Sequence, residues 1–246
     1  MSNLICCIPT KNRPSTKTHL LFQGSGIPVL HFLEPQDFDK YTAVEKINIL
    51  KNNQGIAYVR NFILNWAREN GYDWIIMCDD DISGFGLYDN GNLKRDGSIW
   101  NEIFEKASKL PFEVIGINYA HLAWCSDKIY SINSALVEVC VLINLKKVNW
   151  SYRNEFCLKE DRDFTLQTVK NGNGVLKFNR YYFQCPTIGS NKGGLFDEYK
   201  SKKDEGSAVS LAKEWHPFVQ VVKKSNRLDV KCNLKNLAKH FSKKTA

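Results

Sequence analysis

Three consecutive aspartates, Asp79, Asp80 and Asp81, close the apolar run Trp74 to Cys78 in the stretch DWIIMCDDDI. A buried strand that ends in like charge needs something to compensate it. Carboxylates at a strand end can share one hard divalent cation, Mg2+ or Mn2+, and a cation held by one or two carboxylates typically fills its shell with phosphate oxygens. The plainer reading is a solvated acidic loop or a cap on a following helix. A second acidic group, Glu160, Asp161 and Asp163, lies early in LKEDRDFTLQTVKNG. Acids in a first helical turn suit the helix dipole, and one of them could equally take a proton from an attacking hydroxyl. The loop Pro9-Thr10-Lys11-Asn12-Arg13 leaves a short apolar run, so its amides and Arg13 can face a base or a phosphate. In IGSNKGGLFDEY, Gly189, Gly193 and Gly194 permit close backbone approach to a ligand, and Lys192 can meet a phosphate.

The elements that would hold these residues alternate in type. LICCIPT and IPVLHFLE read as strands, with a possible helix in STKTHLLFQGSG between them. PQDFDKYTAVEKINIL has Phe38, Tyr41, Val44 and Ile47 at helical spacing, and QGIAYVRNFILNWAREN has Ile56, Val59, Ile63 and Trp66, stopped by Gly71. Gln54 and Asn61, seven apart, share a face of that helix with Arg60 close by. The strand WIIMC follows, and then a hairpin-like segment around Asn90-Gly91. SIWNEIFEKASKLP reads as a helix, FEVIGINYA and LVEVCVLINL as strands, LKEDRDFTLQTVKNG as a helix, GVLKFNRYYFQC as a strand and SAVSLAKEWHP as a short helix. Strand and helix in alternation predict βαβ units on a parallel sheet, in one α/β domain. In NLKNLAKHFSKK, Leu234, Leu237, Ala238 and Phe241 follow helical spacing and leave the lysines outward.

Composition limits the class of protein. The 246 residues include 43% hydrophobic and 24% charged positions, ordinary for a globular chain. No apolar run has the length of a membrane-spanning helix, and the N-terminus lacks the basic and apolar regions of a signal peptide. The eight cysteines show no CxxC or zinc-like spacing, which predicts reduced thiols in a cytoplasmic protein. The net charge of +8 favours a polyanionic partner or serves solubility; part of it lies in the basic end VVKKSNRLDVKCNLKNLAKHFSKKTA.

The spacing Asp79-x-Asp81 after a hydrophobic strand resembles the DxD motif of GT-A glycosyltransferases, and ICCIPTKNRP resembles the first strand and nucleotide-binding loop of that fold. NNQGIAYVRN, LKEDRDF, SNKGG and EWHP follow in an order that resembles the TET-associated glycosyltransferase group, over Ile5 to about Pro217. That group is tied to sugar transfer onto hydroxymethylated pyrimidines in the DNA of phages and some eukaryotes, including base J synthesis. The resemblance implies a GT-A type, Rossmann-like, mostly parallel central sheet flanked by helices, spanning 1–222, with 223–246 as a basic segment packed on or extending from it. It implies a UDP-sugar donor and Mn2+ or Mg2+ held by Asp79, Asp81 and the late histidine His216. It places Pro9, Thr10, Asn12, Arg13, Gln54, Arg60, Asn61, Asp79, Asp80, Lys192 and Gly193 on the nucleotide side, and points to Asp161 as the base, with Glu160 and Asp163 as alternates. The implied acceptor is a hydroxymethyl base in DNA, foremost 5-hydroxymethylcytosine, flipped from a duplex in the cytoplasm of a phage-infected cell. A saccharide, lipid or protein acceptor, or an inactive nucleic-acid-binding relative, is the alternative. A nucleotidyltransferase would be expected to carry a Gly-rich loop near the first strand, which IPTKNRPS lacks.

Overall fold

Period-two alternation builds the centre of the molecule. In β1 (Leu4–Thr10) Ile5 and Cys7 pack into one apolar cluster while Cys6 and Ile8 pack into another across the sheet. The same division splits β4 (Trp74–Cys78): Ile75 and Met77 go to the first side, Trp74, Ile76 and Cys78 to the second. Strands buried on both faces read as continuous apolar runs, which is why WIIMC and LICCI carry no polar positions. The computed structural model of the chain describes residues 3–89, 92–95, 98–187, 190–224 and 227–242, and the Asn90-Gly91 turn and Gly189 lie outside them.

Beside β1 stand β2 (Val29–Leu33) and β3 (Lys46–Asn48) on one edge and β4 on the other, all parallel. The hairpin β5 (Gly84–Asp89) and β6 (Asn92–Lys94) follows in sequence, then β7 (Val114–Tyr119), β8 (Tyr130–Ile132), β9 (Cys140–Asn144) and β10 (Val175–Gln184). The order across the sheet is β3-β2-β1-β4-β9-β7-β10-β5-β6, with β8 also on β10. β9 alone reverses direction between β4 and β7, and β7 and β10 are parallel. The sheet is therefore mixed, with its central strands mostly pointing one way.

The first side is covered by α1 (Ile56–Glu69) and α4 (Glu160–Asn171), with α6 (Lys203–Glu214) and α7 (Leu234–Ser242) beyond, and α2 (Ile99–Ala107) covers the second. Two short helices, α3 (Ala120–Ala123) and α5 (Phe196–Lys200), complete the set. In α1, Val59 and Ile63 are buried as their spacing predicts, with Ile56 and Trp66 partly so. The expected helix in PQDFDKYTAVEKINIL does not form. A 3-10 turn spans Pro35–Lys40, and the chain then enters β3, because Lys46 to Asn48 pair with His31 to Leu33 while Tyr41 is buried. Its apolar spacing served an edge strand and a buried tyrosine, not a helix face. STKTHLLFQGSG likewise gives only a 3-10 turn, Thr18–Phe22.

The expected boundary at 222/223 falls inside a hairpin. β11 (Val219–Lys224) pairs with β12 (Arg227–Cys232), and Asp229 on β12 is buried against Arg162 of α4, with Lys159 at 3.5 Å and Lys224 at 3.0 Å. Among the described residues α7 packs into the first-side cluster through Leu234 and Leu237. All eight cysteines are free thiols, and no helix among the described residues is long and apolar enough to cross a membrane.

Candidate active site

The carboxyl ends of β1 and β4 open into a cavity of about 520 Å³. Ligands of open α/β sheets bind at such strand ends. The cavity is also lined by Tyr119 at the end of β7, by the first residues of α1 and α4, and by Asn191, Gly194 to Phe196, Glu198 and Tyr199. The N-terminus of α1 adds free donors: its N-cap is Gly55, at φ 85°, with no side-chain cap, so the first amides of a 14-residue helix face the cavity uncapped.

Two arginines compensate the strand-end acids. Arg60 donates to Asp79 at 3.1 Å and pairs with Glu160 at 3.0 Å, so one guanidinium bridges the two acidic groups singled out in the sequence. Arg13 donates to Asp80 and lies 3.3 Å from Asp81. The compensation is incomplete. Enclosure by the cavity walls, together with neighbouring Asp81, pushes Asp79 up to about 8 against the pull of Arg60. Burial pushes Asp80 up to about 7 against Arg13. Asp80 Oδ2 is buried with no hydrogen-bond partner, whereas the Asp79 side chain is 33% exposed and that of Asp81 21%.

This donor set fits a hard divalent cation. It offers oxygens only, on two accessible carboxylates, with charge left to neutralise. Among the described residues no group of three or more His, Cys, Asp or Glu side chains is placed to hold a metal ion. His216, expected beside Asp79 and Asp81, is exposed in the turn after α6 and does not line the cavity. A late histidine can reach a metal only if its loop folds back over the strand ends, and here Trp215, buried beside it, donates to Asp163 at 2.8 Å and pins that turn to the side of α4.

The remaining expected residues divide. Pro9, Thr10, Lys11, Arg13, Gln54 and Arg60 line the cavity. Asn12 is exposed and outside it, its amide donating to Asp37 at 3.0 Å. Asn61 is structural: it donates to the carbonyl of Tyr152 and accepts from its amide, both at 2.8 Å, tying α1 to the loop before α4. Lys192 and Gly193 act through the backbone. Arg13 Nε donates to the carbonyl of Lys192 at 3.1 Å, and a Cβ on Gly193, at φ 86°, would stand 2.7 Å from the carbonyl oxygen of Asn12. Glycine is needed there for close packing of two loops, and Gly194 and Asn191 face the cavity instead.

Of the acceptor-side acids, Glu160 and Asp161 line the cavity and Asp163 does not. Asp163 is fully buried and fully engaged by Arg153, Gln167 and Trp215. It fastens the loop before α4 and the end of α6, and is removed from the candidate bases. Burial, with Glu138 and Glu160 beside it, pushes Asp161 up to about 7.

Glu34, Glu138 and Arg227 are among the cavity residues that the sequence did not single out. Glu34 ends β2 as Asp79 ends β4, accepting from Lys11 at 3.2 Å and from the Asn53 amide at 2.9 Å. Glu138 interrupts the apolar run LVEVCV; an isolated acid in a buried run was the available signal. Arg227 arrives from β12, and nothing in the sequence links it to the strand ends. Two apolar residues of the wall, Val139 and Leu158, have φ of 69° and 65°. Such backbone strain concentrates at functional sites.

This mostly parallel sheet, flanked by helices and with its cavity at the carboxyl ends of β1 and β4, defines a single-domain α/β fold of the GT-A type. Glucosyl-3-phosphoglycerate synthase from Mycobacterium tuberculosis, in complex with Mg2+ and UDP, aligns with a TM-score of 0.51 at 8% identity over 94% of this chain and 87% of that one. The same enzyme with Mn2+, UDP and glucosyl-3-phosphoglycerate gives 0.52 at 7% identity, over 94% and 87%. These likenesses establish the fold. No curated protein sequence matches the chain. The TET-associated glycosyltransferase family matches residues 18–194, and the chain belongs to that family. It is a glycosyltransferase.

Proposed function

We propose that the protein moves a sugar from a UDP-sugar to the hydroxyl of a 5-hydroxymethylpyrimidine in DNA, foremost 5-hydroxymethylcytosine. The observation that carries this reading is the meeting, in one cavity, of a divalent-cation donor set, an uncapped helix N-terminus and a second acidic group joined to the first through Arg60. Asp79 and Asp81 would hold Mg2+ or Mn2+, the ions present with UDP in the similar synthase structures. When bound, the ion neutralises charge on the donor diphosphate. Lys11, Arg13 and the first amides of α1 lie on the wall where the diphosphate would sit, and favour negative charge there. Asp161 and Glu160 stand across Arg60 from Asp79.

In the transfer, the hydroxyl O–H bond breaks and its proton goes to Asp161. The oxygen bonds the anomeric carbon as the bond from that carbon to the diphosphate oxygen breaks, and the diphosphate leaves with the electron pair. Asp161 takes this role because it is the acceptor-side carboxylate that lines the cavity without an arginine contact as close as that of Glu160 to Arg60. The DNA acceptor rests on family membership and on the net charge of +8.

The test is UDP release from a panel of UDP-sugars, with and without Mn2+, on duplexes that carry 5-hydroxymethylcytosine or unmodified cytosine. Release should require Mn2+ and the hydroxymethyl group. In Asp161→Asn it should fall by about two orders of magnitude or more, with UDP affinity, measured by calorimetry, within about twofold of wild type. Release that ignores the hydroxymethyl group would remove the DNA acceptor.

A further inference from the structure

Glu138 precedes β9 on the wall that also holds Asp161. Residues 137 to 139 are held from three sides. Thr165 of α4 donates to the carbonyl of Val137 at 3.0 Å, Val137 fills the space over Gly116, where a Cβ would lie 2.7 Å from it, and the carbonyl of Val139 accepts from the amide of Asp79 at 3.1 Å. The strained φ of 69° at Val139 is fixed by these contacts and orients Glu138. Its carboxylate accepts from Arg162 Nε at 3.4 Å; the Thr165 hydroxyl that holds the carbonyl of Val137 also reaches the carbonyl of Asp161 at 3.0 Å, and Glu138 and Asp161 together line a small recess with Arg60 and Tyr152. The Glu138 side chain is only 17% exposed. An acid in that place costs stability unless it is used, because a valine or leucine would continue the apolar run.

We propose that Glu138 is a positioning residue of the transfer reaction: its carboxylate receives a hydrogen bond from Asp161 once Asp161 has taken the acceptor proton, so that the two acids hold that proton between them. This rests on the reading of Asp161 as the group that takes the proton. The proton leaves the acceptor hydroxyl, bonds to Asp161 and is shared toward Glu138 while the diphosphate departs; it returns to solvent when product leaves. Arg162 and Lys177 keep Glu138 ionised against its burial, and Glu138 in turn helps to raise Asp161. The charged and titratable groups facing Asp161 are Glu138 before β9, Glu160 and Arg162 on α4, Lys159 just before it, Arg60 on α1, Tyr119 after β7, Tyr152 before α4, Tyr199 on α5 and Cys232 on β12.

The experiment is carboxyl NMR of protein labelled with 13C at aspartate and glutamate side chains, titrated with no substrate present, and the pH profile of kcat/KM for transfer. In wild type the Asp161 carboxyl titrates near pH 7 beside the raised Asp79 and Asp80, and Asp161→Asn identifies its signal by removing it. In Glu138→Gln the Asp161 titration moves down by about one pH unit or more, and the acid limb of kcat/KM moves with it, while UDP affinity stays within about twofold. Glu138→Asp, which keeps the charge, moves both less. An Asp161 titration unmoved in Glu138→Gln overturns the proposal. If Glu138→Gln does not fold, Glu138→Asp decides: an unchanged titration and limb overturn it. Absence of transfer to hydroxymethylated DNA alongside the expected NMR shift would instead remove the acceptor reading and leave the acid pair standing.

Discussion

At the residue scale, the question set by Asp79, Asp80 and Asp81 has a partial answer in the chain itself. Arg13 and Arg60 compensate the cluster, yet Asp79 and Asp80 remain pushed toward protonation. A cation would complete the compensation. Asp81→Asn should therefore abolish the Mn2+-dependent part of UDP binding in calorimetry, whereas His216→Ala should leave it intact; the reverse pattern would return His216 to the metal shell. The acids were legible because an acidic triplet after a buried strand is locally anomalous. The surroundings of His216 and Asp163 were not legible: their local sequence resembles that of functional residues, and only tertiary contacts, Trp215 with Asp163 and Arg153 with Asp163, put Asp163 in a buried fastening and His216 in an exposed turn beside it.

At the element scale, β1, β4, α1 and α4 were readable from periodicity, since each carries its own apolar pattern. β3 and the hairpin β11–β12 were not. An edge strand three residues long has too little pattern to reveal itself, and the hairpin's place is decided by one buried ion cluster. Arg162 on one carboxylate oxygen of Asp229 and Lys224 on the other hold its carboxyl well below the usual range despite burial. Removing one partner of a buried ion pair leaves uncompensated charge, at a cost of about 3–5 kcal/mol. Asp229→Ala should lower the unfolding free energy by that amount in urea titration. It should also disturb the cavity, because Arg227 and Arg162 both line it. A loss below about 1 kcal/mol would show that the hairpin is not fastened by this cluster.

At the scale of the whole molecule, the site acids couple stability to pH and to metal. Asp79 and Asp80 have native values of about 8 and 7, above their usual 3.8, so between about pH 4 and 8 the native state binds more protons than the unfolded chain. Stability then falls as pH rises through that window. In chelator the melting temperature should decline from pH 5 to 8, and Mg2+, binding the native state only, should raise it most at the alkaline end. A melting temperature that rises over this range in chelator would contradict the placement of these acids.

The basic surface is also a whole-molecule property. α7 packs on α4 with Lys170 of α4 5.5 Å from the Phe241 ring, toward the end of α4 away from the cavity. Lys192 and Lys200, by contrast, are exposed and adjoin Asn191 and Tyr199, which line the cavity. Charge reversal of Lys192 and Lys200 should weaken binding to a DNA duplex more than reversal of Lys235 and Lys239. It should also reduce the slope of log K against log salt by about one per lost phosphate contact, read by anisotropy. Equal or opposite effects would move the duplex to the α7 face.

The central claim is sugar transfer to a hydroxymethyl base. Its most direct test is intact-mass spectrometry of a 5-hydroxymethylcytosine duplex incubated with the protein, Mn2+ and each of several UDP-sugars. The account predicts a gain of one sugar residue per modified base with at least one donor, absent without the divalent cation and absent on unmodified cytosine. An unchanged DNA mass with every donor, alongside a sugar appearing on a small saccharide acceptor in the same mixtures, would contradict it.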